Sequence, residues 1–303
     1  MRTYRYITAD IFTGVRFGGN QLAVLPDARG LTTDEMWAIT REFNYSESTF
    51  VFPPDDAAHT RRVRIFTPGG EVPFAGHPTV GTAHVLAAIG EIALTGDETS
   101  IVFEEGVGPV GVKIRTRDGV PVFSQLTVAK LPEILPPVPP SDVLATMLSL
   151  GVDDLMDGAW TPQAVTCGLP FVFVPLRSRD AVRRAKLRME TWETQLAGQA
   201  ADMIMLFAME GEEAGHDVRA RMFGPGVAVM EDPATGSACA ALGGYLGTRD
   251  ARTDGTLSWV VEQGYEMGRP SVLHVECDKR DGAITAVRVG GESVLVCEGT
   301  LSL

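Results

Sequence analysis

The order of apolar and polar residues along the chain predicts many short strands and a few helices. Runs that alternate in polarity or are continuously apolar predict strands at 2–7, 23–25, 48–52, 61–66, 101–104, 110–115, 123–128, 171–175, 203–209, 218–222, 272–277 and 284–290. Helical spacing, together with start and stop signals, predicts helices at 33–43, 79–89, 141–150, 180–197 and 237–246. We therefore expect an α+β fold with more sheet than helix.

Three short motifs recur in the same order in the two halves of the chain. Residues 64–68 (Arg-Ile-Phe-Thr-Pro) match 221–225 (Arg-Met-Phe-Gly-Pro), and each copy is followed by a Glu-x-x-x-x-Gly motif. Upstream of these copies, residues 19–24 match residues 168–173. An ordered repeat of this kind predicts two similar lobes, each with an Ala- and Gly-rich helix after the repeated motif.

A proline-rich stretch at 131–140 predicts the connection between the lobes, because five prolines in ten residues disfavour helix and central strand. The predicted N-terminal lobe is 1–130, with the C-terminal strand 290–303 as a candidate to complete it. The predicted C-terminal lobe is 131–303.

Charge and composition narrow the class of protein. The 303 residues include 26 Lys and Arg against 39 Asp and Glu, a formal net charge of −13 that would repel phosphate backbones and anionic lipid. No apolar run approaches the roughly 18 residues of a membrane span, and the N-terminus lacks the apolar core of a secretory signal. We expect a cytoplasmic protein that binds neither nucleic acid nor membrane.

Two predicted helix starts are candidate anion sites. Pro78 suits the first helical position, which makes His77 a candidate N-cap and leaves the amides around Gly76 and His77 free to meet an anion. In the second half, Ser237 is a candidate N-cap and Gly236 allows close approach of a ligand. If the lobes face each other, both starts would point into one cleft and hold a substrate carboxylate; the alternative is two ordinary helix starts.

Other motifs exclude several kinds of site. The G-x-G-x-x-G pattern at 106–111 is followed by an alternating strand, which predicts a turn between strands rather than a dinucleotide site. No phosphate loop or G-x-S-x-G elbow is present. His77 and His84 are seven residues apart, a spacing that does not chelate one metal ion from a helix. The sequence therefore predicts chemistry without a metal or cofactor.

A family resemblance rests on six motifs in combination. It is carried by Phe17-Gly-Gly-Asn20-x-x-Ala-Val24, Ser46-Glu47-Ser-Thr-Phe-Val51, Ile65-Phe-Thr-Pro68, Glu71-x-Pro-x-Ala-Gly-His77-Pro-Thr79, Glu231-Asp-Pro-Ala-Thr-Gly-Ser237, and Gln263-Gly264 through Gly268-Arg-Pro-Ser271. Together they resemble the phenazine-biosynthesis PhzF-like family from residue 1 to about 300. The resemblance implies a diaminopimelate-epimerase-like fold: two pseudo-symmetric lobes, each a mixed sheet wrapped around a central helix, with the active site between them.

The resemblance also implies a function. Family members are typically homodimeric isomerases that work without a cofactor, and the best-understood activity moves a proton between carbons of trans-2,3-dihydro-3-hydroxyanthranilate. Carried over by motif, Glu47 takes the general acid/base position, and the polar positions at the substrate fall on His77, Asp232 and Ser237. The substrate-binding positions are Gly76, Gly236 and Asn20. Gln21 departs from the Gly-Asn-Pro form common in the family, and Cys239 replaces a small residue.

Two alternatives to this isomerase stay open: a one-base epimerase of unknown substrate and a non-catalytic binding protein. Racemases of this fold use one thiol from each lobe, but every cysteine here lies at 167 or later, which predicts no thiol in the first lobe. A one-base isomerase or epimerase is therefore favoured over a two-thiol racemase. The remaining alternative is a non-catalytic protein that binds a small carboxylate.

Overall fold

The computed structural model describes residues 1–303. Its strands are β1 (Thr3–Ile11), β2 (Asn20–Leu25), β3 (Glu47–Phe52), β4 (Arg61–Thr67), β5 (Gly70–Val72), β6 (Glu98–Glu105), β7 (Gly108–Arg117), β8 (Val120–Thr127), β9 (Glu133–Ile134), β10 (Gln163–Thr166), β11 (Pro170–Pro175), β12 (Met203–Ala208), β13 (Val218–Gly224), β14 (Val229–Asp232), β15 (Gly255–Gln263), β16 (Ser271–Arg280), β17 (Ala283–Gly291) and β18 (Ser293–Ser302). Its α-helices are α1 (Thr33–Phe43), α2 (Gly76–Ala88), α3 (Ser141–Met147), α4 (Arg179–Arg184), α5 (Met189–Gln195) and α6 (Gly236–Gly247).

The chain divides into two compact units. Unit 1 comprises Met1–Ala129 and Val289–Leu303, and unit 2 comprises Lys130–Arg288. The last strand, β18, belongs to unit 1, where it pairs antiparallel with β1 along the whole length of β1. The proline-rich stretch 131–140 lies in unit 2, where β9 pairs with β10.

Unit 1 is a mixed sheet around a buried helix. Strand β2 pairs parallel with β3 and β4 pairs parallel with β6, while β3–β4, β6–β7 and β7–β8 are antiparallel. Helix α2 contacts β1, β2, β3, β7 and β8, and all its residues from Gly76 to Ala87 are buried. A helix that is apolar on every face can be stable only inside the sheet that surrounds it.

Unit 2 repeats this pattern. Strands β11–β12 and β13–β15 are parallel, and β12–β13 and β15–β16 are antiparallel. Helix α6 is buried from end to end and packs on β10, β11, β15 and β16. Small residues make this possible, since a Cβ added at Gly243 would lie 2.7 Å from Val275 Cγ1. The expected α+β fold, with two similar halves each built around a central helix, is confirmed.

Local predictions were right for some elements and wrong for others. Helix α1 has the predicted bounds, and its capping box at Thr32 and Glu35 is present. The stretch predicted as one helix over 180–197 is two helices, α4 and α5. The chain leaves the helical path because Arg221 Nη1 donates to the Ala185 carbonyl at 2.8 Å, and the Lys186 amide bonds to Leu148 in place of its own helix.

The G-x-G-x-x-G stretch is a hairpin, as predicted. Strand β6 ends at Glu105, which pairs with Gly108 at the start of β7. A hairpin of this kind offers no helix N-terminus to a pyrophosphate.

Candidate active site

Three polar side chains meet at the start of α2 in unit 1. Glu47 is the first residue of β3, Asn20 is the first residue of β2, and His77 is the second residue of α2. Parallel pairing of β2 and β3 places Glu47 opposite Leu22, two residues from Asn20. The sheet around α2 thus brings together residues that are 27 and 30 positions apart in the chain.

His77 is the centre of this cluster. Its Nδ1 lies 3.2 Å from Asn20 Nδ2 and 3.5 Å from Glu47 Oε2. The side chains of His77 and Glu47 are 3% and 16% exposed, so the carboxylate keeps some contact with solvent while the imidazole has almost none. His77 Nε2 is buried without a hydrogen-bond partner in the chain. A buried ring nitrogen of this kind is available to an oxygen atom of a ligand.

The imidazole of His77 is uncharged at neutral pH. Burial lowers the pKa of His77 to about 3, and burial also lowers the pKa of His84, two turns further along α2, to about 4. The contact between His77 and Glu47 is therefore not an ion pair at neutral pH, and the imidazole acts there through hydrogen bonds.

Helix α2 begins earlier than the sequence predicted. Its N-cap is Ala75, which has no side chain able to cap, and Gly76 and His77 are its first two residues. The expectation that His77 is the N-cap is therefore wrong. Pro78 lies in the first turn, where its missing N–H costs no helical hydrogen bond. The amides of Gly76 and His77 have no intrahelical acceptor, and a helix N-terminus of this kind binds anions.

The corresponding start in unit 2 holds Asp232 in a closed hydrogen-bond network. Asp232 is the last residue of β14 and is 5% exposed. Thr235 donates its hydroxyl to Asp232 Oδ2 at 2.6 Å. Gln263 Nε2 donates to the Asp232 carbonyl at 2.7 Å, and Gln263 Oε1 accepts from the Thr235 amide at 3.1 Å. Both ends of the Asp-Pro-Ala-Thr turn are thereby fixed.

The cap of α6 also differs from the prediction. The N-cap is Thr235, and Ser237, expected at that position, is the second residue of the helix and 9% exposed. The Thr235 hydroxyl is used by Asp232, so it does not cap the helix. Gly236 and Ser237 thus occupy the positions in α6 that Gly76 and His77 occupy in α2.

Three of the four cysteines are buried and one is exposed. Cys167, Cys239 and Cys277 are buried, and burial raises the pKa of each thiol, to about 12 for Cys167 and about 11 for Cys277, so these thiols stay protonated. The premise that the first lobe has no thiol is wrong, because Cys297 lies on β18 in unit 1 and is exposed. At the two helix starts themselves, however, the side chains are those of His77 and Ser237.

Sequence reasoning missed the residues that support the two helix starts. Thr235 and Gln263 hold the Asp232 turn, and in unit 1 Glu105 accepts the Thr79 hydroxyl at 2.7 Å. The repeat could have indicated these residues. Glu105 ends β6, which pairs parallel with β4, and Gln263 ends β15, which pairs parallel with the equivalent strand β13.

No group of three His, Cys, Asp or Glu side chains is placed to hold a metal ion, and no helix is long and apolar enough to cross a membrane.

Comparison with known proteins extends over the whole chain. The model of the phenazine biosynthesis-like protein family, PhzC-PhzF, matches residues 9–299. An uncharacterized isomerase from Mesorhizobium japonicum is 39% identical, with 99% of each chain covered. The trans-2,3-dihydro-3-hydroxyanthranilate isomerase of Pseudomonas fluorescens is 32% identical, with 99% of this chain and 100% of that protein covered.

A solved structure agrees with these sequence matches. The phenazine biosynthesis protein of the PhzF family from Bacillus anthracis superposes with a TM-score of 0.89 at 26% identity, and both chains are covered completely. The fold of two similar units, the polar cluster at the start of α2 and these matches agree, and this chain belongs to the PhzC-PhzF family of phenazine biosynthesis-like proteins.

Proposed function

We propose that the chain is a cofactor-independent isomerase that moves a proton between two carbon atoms of a small carboxylate of the dihydro-hydroxyanthranilate kind. Glu47 is the general acid/base. The observation that carries this proposal is the Glu47 carboxyl group beside an uncharged His77 at the start of a helix that is buried from Gly76 to Ala87. Family membership and the named activity of the Pseudomonas fluorescens relative support it.

The start of α2 suits the binding of the substrate carboxylate. The Gly76 and His77 amides and the positive end of the helix dipole would attract it. Uncharged His77 can hydrogen-bond to a substrate oxygen through Nε2, which is buried without a partner in the chain. Because His77 carries no charge at neutral pH, it does not form an ion pair with the Glu47 carboxyl group there.

The reaction needs only one base. Glu47 takes a proton from a substrate carbon, and the electron pair of the broken C–H bond enters the conjugated system. The Glu47 carboxyl group, which keeps some contact with solvent and can exchange its proton with water, then delivers a proton to a different carbon, so that atoms and charge balance without a redox partner. Substrate contacts by Asp232, Ser237, Gly236 and Asn20 remain predictions from the resemblance, as does a homodimer.

Replacing the base tests the proposal. Glu47→Gln removes the basic oxygen but keeps the size of the side chain, so we expect turnover to fall by at least about 10²-fold, as for loss of a general acid/base. Proton NMR in heavy water with trans-2,3-dihydro-3-hydroxyanthranilate would show isomerised product carrying deuterium at carbon with the unmodified protein only. Glu42→Gln, on the exposed face of α1, is the matched control.

Two results would contradict the proposal. Undiminished turnover by the Glu47→Gln variant would remove Glu47 from the mechanism. Saturable binding of small carboxylates without any exchange of C–H protons would instead support the alternative of a non-catalytic binding protein.

A further inference from the structure

The two units differ at one hairpin, and the difference leaves a groove open in unit 1. Strands β6 and β7 are joined by two residues, 106–107, whereas β15 and β16 are joined by seven residues, 264–270. Both connections begin with a glycine packed on a proline. A Cβ added at Gly106 would lie 2.7 Å from Pro73 Cα, and one at Gly264 would lie 2.5 Å from the Pro233 carbonyl oxygen. The two hairpins are therefore equivalent up to that glycine.

The strands beside the hairpins share one pattern of charged residues, although Phe52 lies beside Arg62 where Ala208 lies beside Arg219. In both units, an arginine of one strand pairs in parallel register with a glutamate of the next strand, and that glutamate bonds to a histidine. A second arginine, two residues further on, forms a two-point ion pair with a glutamate. The equivalent pairs are Arg62 with Arg219, Glu104 with Glu262, His59 with His216, Arg64 with Arg221, and Glu71 with Glu231.

In unit 2 the longer hairpin covers the arginines. The segment Tyr265–Met267, which we name the plug, lies on them. The guanidinium of Arg219 is 3.9 Å from the centre of the Tyr265 ring and its Nη2 donates to Glu266 Oε1 at 2.7 Å. Glu266 Oε2 is 3.9 Å from Arg221 Nε. The side chain of Arg219 is only 6% exposed as a result.

Unit 1 has no plug, and a cavity of about 880 Å³ lies over its arginines. The side chain of Arg62 is 40% exposed, against 6% for Arg219. Its Nε is buried without a hydrogen-bond partner, and Asp55 Oδ2, at 3.7 Å, is too far away to provide one. The groove is lined by Arg62, Arg64, His59, Glu104, Pro73 and Gly106, among others.

We propose that this groove is a docking site for a peptide turn of a partner protein in which an aromatic residue is followed by a carboxylate residue. The aromatic ring would stack on Arg62, and the carboxylate would bond to the guanidinium, as Tyr265 and Glu266 do in unit 2.

The acidic residues around the groove are compatible with an occupant that carries a carboxylate. Asp55 and Asp56 donate their backbone amides to Glu104, as Glu212 and Glu213 do to Glu262. Unit 2 has acidic residues at these equivalent positions, Glu212, Glu213 and Glu262, and still holds Glu266 against its arginines. The proposal does not depend on the reaction at Glu47.

The chain's own plug supplies the probe. The peptide acetyl-Gly-Tyr-Glu-Met-Gly-amide, with the sequence of residues 264–268, is titrated into the ¹⁵N-labelled full-length protein. We expect saturable shifts of amide signals around Arg62 and Glu104. Arg62→Ala should weaken binding at least about 10-fold, the cost of about 1.4 kcal/mol. Arg280→Ala, an exposed arginine at the end of β16, should leave it unchanged.

Substitutions in the peptide test whether both of its side chains contribute to binding. Replacing its Tyr by Ala or its Glu by Gln should each weaken binding to a similar extent. The proposal is overturned by absence of saturable shifts, by equal binding to the Arg62→Ala variant, or by shifts confined to unit 2. Equally strong binding of free 4-hydroxyphenylacetate would also overturn it, because the groove would then be a site for small aryl carboxylates rather than a peptide turn.

Discussion

Two buried polar side chains in unit 1 are uncharged for the same physical reason. Burial disfavours the charged form, which lowers the pKa of His77 to about 3 and raises the pKa of Glu105 to about 8. At neutral pH the two side chains are therefore a neutral imidazole and a protonated carboxyl. Both contact the first turn of α2, His77 as a member of it and Glu105 through Thr79. Neither side chain therefore contributes a charge at the start of the helix at neutral pH.

Glu105 gives the protein a defined pH dependence of stability. Its folded-state pKa of about 8 exceeds its ordinary value of 4.5, so between these values the folded state binds the proton that the unfolded state releases. The contribution of Glu105 to the free energy of unfolding is complete below about pH 4.5 and declines as pH rises to about 8, by up to about 1.4 kcal/mol per pH unit.

The variant Glu105→Gln tests this. Glutamine is uncharged and stands at the equivalent position of unit 2, as Gln263. We expect urea unfolding at pH 5.5 and pH 8 to show the variant gaining stability relative to the unmodified protein as pH rises. If the free energy of unfolding of the two proteins changed equally between pH 5.5 and pH 8, Glu105 would not be protonated in the folded state.

The hairpin that joins β15 to β16 packs against the turn that follows Asp232. Gly264 has φ +81°, and a Cβ there would lie 2.3 Å from the Arg269 carbonyl oxygen and 2.5 Å from that of Pro233. Backbone atoms cannot move aside as a flexible side chain can. The glycine therefore fixes the distance between this hairpin and the residue that follows Asp232.

Two glycines of this hairpin provide a matched pair of variants. Gly268 also has a positive φ, +69°, but has open space around its Cα. We expect Gly268→Ala to cost about 1 kcal/mol of backbone strain and Gly264→Ala to cost that plus a further 1–3 kcal/mol or so from overpacking. Urea unfolding of both variants measures the difference, and equal losses would show that the Pro233 contact does not constrain the turn.

The sequence predicted the two central helices better than the residues at which they begin. The ordered repeat and the Ala- and Gly-rich stretches indicated two buried helices, because only a helix without a polar face fits inside a sheet. The positions of the caps were wrong by two residues in both helices, since Pro78 and Ser237 suit several places in a first turn. The contact between Glu47 and His77 depends on how β3 packs against α2, and only the family resemblance indicated it.

At the scale of the whole molecule, unit 1 is assembled from both ends of the chain. Strand β18 occupies the edge of β1 from Thr3 to Ile11. Without β18, β1 would expose a row of unpaired backbone groups, and apolar residues such as Ile7 would lose part of their cover.

A truncation after Arg288 removes this strand. We expect unit 1 of the shortened protein to lose protection of its backbone amides, and hydrogen exchange followed by mass spectrometry would measure the loss in β1 and β2. Removal of Leu303 alone is the control. It removes only the backbone hydrogen bonds between Leu303 and Arg2, so only the exchange of the Arg2 amide should change. Retained protection of β1 in the protein that ends at Arg288 would show that the rest of unit 1 suffices.

The position of β18 also has a consequence for synthesis on the ribosome. Residues 1–129 emerge before unit 2, yet the strand that pairs with β1 is translated only after unit 2. The edge of β1 therefore stays unpaired while all of unit 2 is made, and unit 2 is the first part of the chain to be available in full for folding. A nascent chain that stalls before residue 293 would present an exposed strand edge to other chains, so production of this protein should depend on uninterrupted translation or on a chaperone that covers β1.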